Sequence, residues 1–350
     1  MHDIRYYIDE QCEALQRILR ERKRCAQAFA MRFNQMNADR LYLIGSGTSF
    51  NAALAAAPFV EEVLGVEVTA HAPSQLPVIR GERPLIVLIS QGGTSTNILR
   101  AIDQLQGHET LALTGRENCR VNEVCLSHVL LACGDEEAGP KTKGYTCTIL
   151  TLYLMAMEAA LAAGRINRET AEEMVCALSV CFDNLPKRVK QAEACVNELA
   201  HWLTKTKNFV IVGKGIGGLA AKECVIKLVE TMLTPALAYE FEEYLHGPVS
   251  LIDGELGGIY LLPPEDDPDR ERMAAVARYH AEQSGRVIEI MPEEEAGEAA
   301  GPWYTHVFVY VLLCQMMAAT LPERMGVLGR GEEVFYAVDK LVDIKYGHIV

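Results

Sequence analysis

The residues with the most chemistry in this 350-residue chain lie close together. Glu223, Lys227 and Glu230 follow one another at intervals of four and three, which lines them along one stripe of a helix. Ala221, Val225, Leu228 and Met232 mark an apolar stripe on another face. Two carboxylates and an ammonium so arranged are either a solvated face with ordinary i,i+4 pairing or a group able to carry a proton. His246 follows, just ahead of Gly247-Pro248, where a helical segment gives way to a loop and an imidazole can be presented to a ligand. A carboxylate that moves a proton between carbons and a histidine that opens a sugar ring suit carbohydrate chemistry, because both steps need groups that change state near neutral pH.

The elements that must position these groups alternate. Residues 4–36 contain neither Gly nor Pro and carry helical periodicity. Leu41–Ile44 reads as a buried strand, followed by Gly45-Ser46-Gly47-Thr48-Ser49 and an Ala-rich helix to Val63. Strands at 66–70 and 85–89 come next, the latter ending in Ser90-Gln91-Gly92-Gly93-Thr94-Ser95-Thr96-Asn97. Strand, glycine loop and helix together offer backbone N–H groups to an anion, and hydroxyls add donors without the cost of burying a cation. The same residues would also serve as plain helix N-caps. Neither loop follows the nucleotide-triphosphate pattern, and Phe50 breaks the dinucleotide one.

Further strands are expected at 110–114 and 128–133. Residues 151–206 look helical, with 165–173 polar enough for an inter-domain connection. A second alternation starts with a strand at 208–212 and the turn Gly213-Lys214-Gly215-Ile216-Gly217-Gly218, and strands at 256–262 and 287–290 follow. That turn resembles a dinucleotide loop only loosely, since no partner acid follows at the required distance.

At this point the residues resemble the sugar isomerase (SIS) domain family, in particular the isomerase half of glucosamine-6-phosphate synthase and the fructosamine-6-phosphate deglycases. "KLVE" ending at Glu230 and "YLHGPVSLID" around His246 are similar to the family's "KLKE" and "LKHGPLALID". The loops resemble the family's phosphate loops "GTS" and "SQSGET", which implies phosphate binding by Ser49, Ser90, Gln91 and Ser95, with Thr48 and Thr94 beside them. Gly92 stands where the family has a serine, and Thr94 where the synthase has a glutamate. Residues 136–146 resemble the synthase loop "E…ASTKAFT", which implies substrate contacts by Glu136, Thr142, Lys143 and, from the first loop, Gly47. Lys141 replaces a serine and adds a cation. The synthase ends in "AKSVTVE", and Lys345 has the same distance from the chain end as its active-site lysine; His348 has no counterpart.

The resemblance implies an α/β fold of two tandem doubly wound, flavodoxin-like SIS units with parallel sheets. The boundaries it suggests are N-terminal helices at 1–36, a first SIS domain at 37–165, a helical connection at 166–206, a second SIS domain at 207–335, and a tail at 336–350 reaching the active site. It also implies a shared active site in a homodimer or higher oligomer, with His246 serving the neighbouring subunit.

Composition narrows the field. A formal net charge of −14 and a pI near 5.2 argue against nucleic acid or an anionic membrane as partner. Eleven cysteines without a C-x-x-C pair read as buried thiols of a cytoplasmic protein, and the charged N-terminus offers no export signal. The apolar run Val307–Leu321 carries Gln315 and reads as a core helix. The nine histidines are dispersed, so no metal site is expected, and no cofactor is required. Trp202 and Trp303 read as packing residues. No glutamine amidotransferase segment is recognised.

The expected function is an enzyme that cleaves a 6-phosphorylated fructosamine to a hexose 6-phosphate and an amine or amino acid. Glu230 would shuttle the proton, His246 would open the ring, and Lys227 and Lys345 would stabilise the enolate-like charge. Isomerisation or deamination of an amino-sugar 6-phosphate uses the same residues, and a non-catalytic phosphosugar sensor is the reading from another class.

Overall fold

The computed structural model describes residues 3–125, 127–293 and 300–345. The chain divides into two compact units. The first comprises Glu10–Glu137, Lys141–Ser179 and Val334–Val350; the second comprises Met1–Asp9, Ala138–Pro140 and Val180–Glu333.

In chain order the elements up to the second sheet are α1 (Ile4–Arg20), α2 (Arg22–Met36), β1 (Arg40–Gly45), α3 (Thr48–Leu64), β2 (Glu67–His71), β3 (Pro84–Ser90), α4 (Thr96–Gln104), β4 (Glu109–Thr114), α5 (Arg120–Val124), β5 (His128–Leu130), α6 (Lys143–Ala162) and α7 (Arg168–Leu203). The five strands form one parallel sheet in the order β2-β1-β3-β4-β5. Alternation along the strands covers both faces. Tyr42, Ile44, Ile86, Leu88 and Ala112 pack with Ile98 and Ala101 of α4 and Val121 of α5. α3 packs on the sheet, and α6 packs on α2 and α3. The chain leaves β1 towards β2 on one side and β3 leads away on the other, so the loops after β1 and β3 flank the crevice where strand order reverses. β5 is three residues long, shorter than the apolar run 128–133, because pairing with β4 ends at Leu130.

The second unit contains β6 (Phe209–Gly213), α8 (Ile216–Lys227), a π-helical turn (Leu228–Met232), β7 (Ala236–Glu240), α9 (Phe241–Leu245), β8 (Gly257–Leu261), α10 (Arg270–Ser284), β9 (Val287–Ile290), α11 (His306–Tyr310) and α12 (Leu312–Arg324). α13 (Arg330–Val342) starts there and continues into the first unit. The sheet is parallel, in the order β7-β6-β8-β9. One face is closed by Phe241, Tyr244, Met273 and Ala277 against Val210, Val212 and Tyr260. α8 packs on β6, β7 and β8, with α11 and α12 outside it. β7 has no counterpart among the expected strands, since it is an edge strand of five partly exposed residues without a buried apolar run.

Most of the helical connection expected at 166–206 is the 36-residue α7, and the division between units falls inside it, between Ser179 and Val180, beyond the polar stretch at 165–173. The expected core helix at 307–321 is interrupted at Val311, giving α11 and α12. Lys143–Ala162 and Trp303–Arg324 are long and apolar enough to cross a membrane by composition, but their apolar windows are 83% and 78% buried inside the fold. All eleven cysteines are free thiols.

Two buried histidines make the second unit acid-sensitive. His280 is fully buried: its Nε2 donates to the Leu256 carbonyl at 3.1 Å, so Nδ1 is left to accept the Tyr260 hydroxyl at 3.0 Å. His306 Nε2 lies 2.7 Å from the Gly301 carbonyl. Burial pushes both imidazoles below their usual value, outweighing the carbonyl hydrogen bonds. Their neutral form is therefore stabilised by folding. That stability is complete above the unfolded pKa and is lost as pH falls through the folded one. Below about pH 6.5 the unfolding free energy should fall by up to ~1.4 kcal/mol per pH unit for each histidine. Urea titrations between pH 7.5 and 5 check this, and His280→Gln should reduce the slope by one proton.

Candidate functional site

In the first unit the loop after β1 turns at Gly47 (φ 55°, ψ −127°), a conformation that favours glycine, and α3 begins at Thr48. The loop after β3 leads through Ser95 into α4. The two loops are tied across the crevice: Asn97 Nδ2 donates to Ser46 Oγ at 2.7 Å. Within the second loop, Ser90 Oγ donates to Ser95 Oγ at 3.2 Å. Thr48, Ser49, Thr94 and Ser95 are half-buried, while Ser90 is buried. Hydroxyls and two helix N-termini thus converge at the carboxyl edge of β1 and β3, the arrangement that suits an anion.

Gln91 faces inward. Its Nε2 donates to Glu136 Oε2 at 3.0 Å and lies 3.8 Å from Cys133 Sγ. Burial, followed by the Glu136 carboxylate, pushes the Cys133 thiol up to about 11, so it offers no nucleophile near neutral pH.

Glu136 collects five donors. Oε1 accepts from Thr142 N (2.7 Å), Thr142 Oγ1 (3.2 Å) and Lys143 N (3.1 Å), and Oε2 from Gly144 N (2.9 Å) and Gln91. The buried carboxylate sits on the first turn of α6 and satisfies N–H groups that have no partner within the helix. Glu136→Ala should lower stability by about 3 kcal/mol. A drop in the urea midpoint at unchanged m-value checks it, and a change below about 0.5 kcal/mol would remove Glu136 as the cap. Thr142 and Lys143, expected as substrate contacts, are fully buried. Lys143 Nζ binds Glu10 Oε2 and the Asp135 carbonyl, each at 2.8 Å.

The C-terminal segment comes to the same loop. Lys345 forms a β-bridge with Ser95, Thr96 N donates to the Ile344 carbonyl at 3.1 Å, and Lys345 N donates to Asp339 Oδ1 at 2.8 Å. Burial lowers the pKa of the Lys345 ammonium, with Asp339 opposing. His348 and the rest of 346–350 lie outside the described residues.

In the second unit the turn before α8 repeats the first. Gly215 has φ 54° and ψ −121°, close to Gly47. Lys214 in this turn pairs with Asp267 at 2.7 Å and Asp269 at 2.8 Å. The Glu223, Lys227 and Glu230 stripe is not a solvated face. Lys227 and Glu223 are buried to about 1% side-chain exposure, with Nζ 3.2 Å from Glu223 Oε1, and Nζ also donates to Glu230 Oε1. Burial alone would push the Lys227 ammonium down, but the two carboxylates outweigh it and the net shift is upward. Lys227 is therefore a fixed cation rather than a base.

Glu230, 34% exposed, is the member of the trio that faces solvent. It lies on the π-helical turn, which closes with Leu233 in the left-handed region at φ 54°. Such turns occur mostly singly and often at functional sites. Sequence periodicity did not signal the turn, nor the approach of Gly331: a Cβ there would lie 2.0 Å from the Glu230 carbonyl oxygen, so only glycine lets the first turn of α13 meet the π-turn. His246 is exposed at the C-cap of α9, at the helix end where the sequence places it.

Comparison with known proteins agrees with this architecture. Residues 36–163 match the SIS domain model. The curated glutamine–fructose-6-phosphate aminotransferase (isomerizing) of Nostoc sp. (strain PCC 9229) is 24% identical over 276 residues, covering 74% of this chain and 44% of the relative. The chain thus spans about half the length of the curated relatives it matches. Among solved structures, a candidate phosphosugar isomerase from Clostridium difficile 630 superposes with a TM-score of 0.84 at 23% identity, covering 93% of this chain and 94% of that one. Glucosamine-6-phosphate deaminase from Thermotoga maritima gives 0.71 at 20%, covering 91% and 96%. At those identities the two structures speak to the fold. Residues 36–163 are thus similar to the SIS domain, and the two parallel doubly wound sheets agree with that likeness.

Proposed function

We propose that the chain is a phosphosugar-processing enzyme that cleaves a 6-phosphorylated fructosamine to a hexose 6-phosphate and an amine. The observation that carries this reading is the Lys227 clamp: a buried ammonium binds Glu223 and Glu230 and leaves Glu230 as the member open to solvent. An ionised carboxylate held beside a fixed cation can take a proton from C1 of a ketosamine, while nearby positive charge stabilises the enolate-like oxygen. Returning the proton to C2 gives an imine at C1; water adds there and the amine leaves. His246 assists ring opening, and Lys345 adds positive charge beside Ser95. The hydroxyls of the loops after β1 and β3 hold the phosphate. The free thiols fit the proposed cytoplasmic setting.

The test is release of glucose 6-phosphate from a panel of 6-phosphorylated fructosamines, with Glu230→Gln as control. Release that disappears in the variant supports the reading. Absence of release, together with ammonia production from glucosamine 6-phosphate, replaces it with deamination. Binding without any turnover replaces it with sensing.

The proposed assembly is a homodimer in which His246 serves the neighbouring subunit. Mixing exchangeable Glu230→Gln and His246→Ala chains should then recover about a quarter to a half of wild-type activity through hybrid sites, within the usual range of subunit complementation. No recovery would sink the shared site.

A further inference from the structure

The loop after β3, assigned above to the phosphate, stands on a second segment, the turn from β4 into α5. Ser90 pairs with Thr114 in the sheet, so the two strands deliver their loops side by side. Two carbonyls of the first loop are held by N–H groups of the second. Gly115 N donates to the Gln91 carbonyl at 2.9 Å, and Val121 N, in the first turn of α5 and without a partner within that helix, donates to the Gly93 carbonyl at 3.1 Å. The approach is close enough to require glycine on both sides. A Cβ at Gly93, where φ is 67°, would lie 2.2 Å from Cys119 Sγ, and one at Gly115 would lie 2.8 Å from the Gln91 carbonyl oxygen. Cys119, itself buried, fills the space behind Gly93.

The supporting segment has its own brace in Asn122. Its Nδ2 donates to the Arg116 and Glu117 carbonyls, each at 2.9 Å. Two carbonyls can only accept, which fixes the amide orientation and leaves Oδ1 facing the buried Thr114 hydroxyl at 3.0 Å. One side chain thus ties the end of β4, the turn at 116–117 and the start of α5, and sets where the Gly115 and Val121 N–H groups stand. An anion loop with Gly92 and Gly93 in succession has much backbone freedom to lose on binding. Held in its binding shape beforehand, it has less to lose.

We propose that Asn122 is a positioning residue for the phosphate. It touches no substrate; through Gly115 and Val121 it holds the loop at 90–95 in the shape that presents Ser90, Gln91 and Ser95, with Cys119 as the stop behind Gly93. This role rests on the assignment of that loop to the phosphate and is independent of what then happens to the sugar.

Asn122→Asp keeps the shape of the side chain but turns an acceptor towards two carbonyls, so the brace is lost. Calorimetric affinity of the folded variant for glucose 6-phosphate should fall about tenfold, and that for inorganic phosphate with it. Amide hydrogen exchange in residues 90–97 should rise in the free variant and return to the wild-type rate at saturating glucose 6-phosphate, with exchange in α6 unchanged. On a phosphorylated ketosamine the loss should fall on KM, with kcat within about twofold of wild type. If Asn122→Asp does not fold, Asn122→Ala takes its place, because the carbonyls it frees belong to exposed residues and reach water. The expected loss of affinity is then about fivefold. Affinity within about twofold of wild type would overturn the role, as would faster exchange in 90–97 that saturating ligand does not reverse. Wild-type protein that binds neither glucose 6-phosphate nor inorganic phosphate would remove the phosphate assignment itself, and the role of Asn122 with it.

Discussion

Glu230→Gln should lower turnover of a phosphorylated ketosamine by about 10²–10⁴-fold, the range for losing a positioned proton carrier. Glutamine keeps the shape and a carbonyl acceptor for Lys227 Nζ, so the clamp can persist while the basic oxygen is gone. Affinity for a sugar phosphate should stay within about threefold, because the loops assigned to the phosphate lie in the other unit and keep their hydroxyls. A steady-state rate with a parallel binding measurement separates the two terms. Turnover within about twofold of wild type would remove Glu230 as the proton carrier.

Lys227→Met should be the most destabilising single change in the second unit, at about 3–5 kcal/mol. Methionine fills much of the lysine's volume, so the loss is electrostatic: Glu223, with 1% side-chain exposure, is left as a buried carboxylate without its cation, next to Glu230. Adding Glu223→Gln should restore a large part of the loss, since it removes the stranded charge. Urea unfolding of the single and double variants at pH 7.5 reads both effects. A single variant within about 1 kcal/mol of wild type, or a double variant worse than the single, would mean that the ion triad does not hold α8 and the π-turn together.

Much of the fold was legible because it rests on periodicities of two and 3.6 residues. The runs at 41–44, 85–89, 110–114, 208–212 and 256–262 all overlap strands buried on both faces, which need uninterrupted apolar sequence. β7 escaped because an edge strand needs no such run. The division falls inside the helical connection expected at 166–206, but its point within α7 was not legible because a continuous helix can pass from one unit to the next without any break in composition.

The candidate site was legible in part for the same reason. Spacing placed Glu223, Lys227 and Glu230 on one stripe, and it placed His246 at a helix end. Spacing alone could not say that the stripe faces inward, because a solvated face and a buried ion triad share the same interval. Nor could it show that Thr142 and Lys143 turn into the interior. Those outcomes depend on which elements pack over each face, and Glu10 reaches Lys143 from 133 residues away.

The amino-acid sequence by itself determined the alternation of strand, glycine loop and helix, the two hydroxyl-rich loops and the position of the acid, base and imidazole groups along the chain. These follow from local conformational preference and local spacing. Only the tertiary structure decided that Lys227 is a clamped cation, that Glu136 is spent on the start of α6, and that Glu230 rides a π-turn pressed by Gly331. Each of these depends on burial or on contacts between distant segments, and charge and hydrogen bonding change in strength with the water that packing removes.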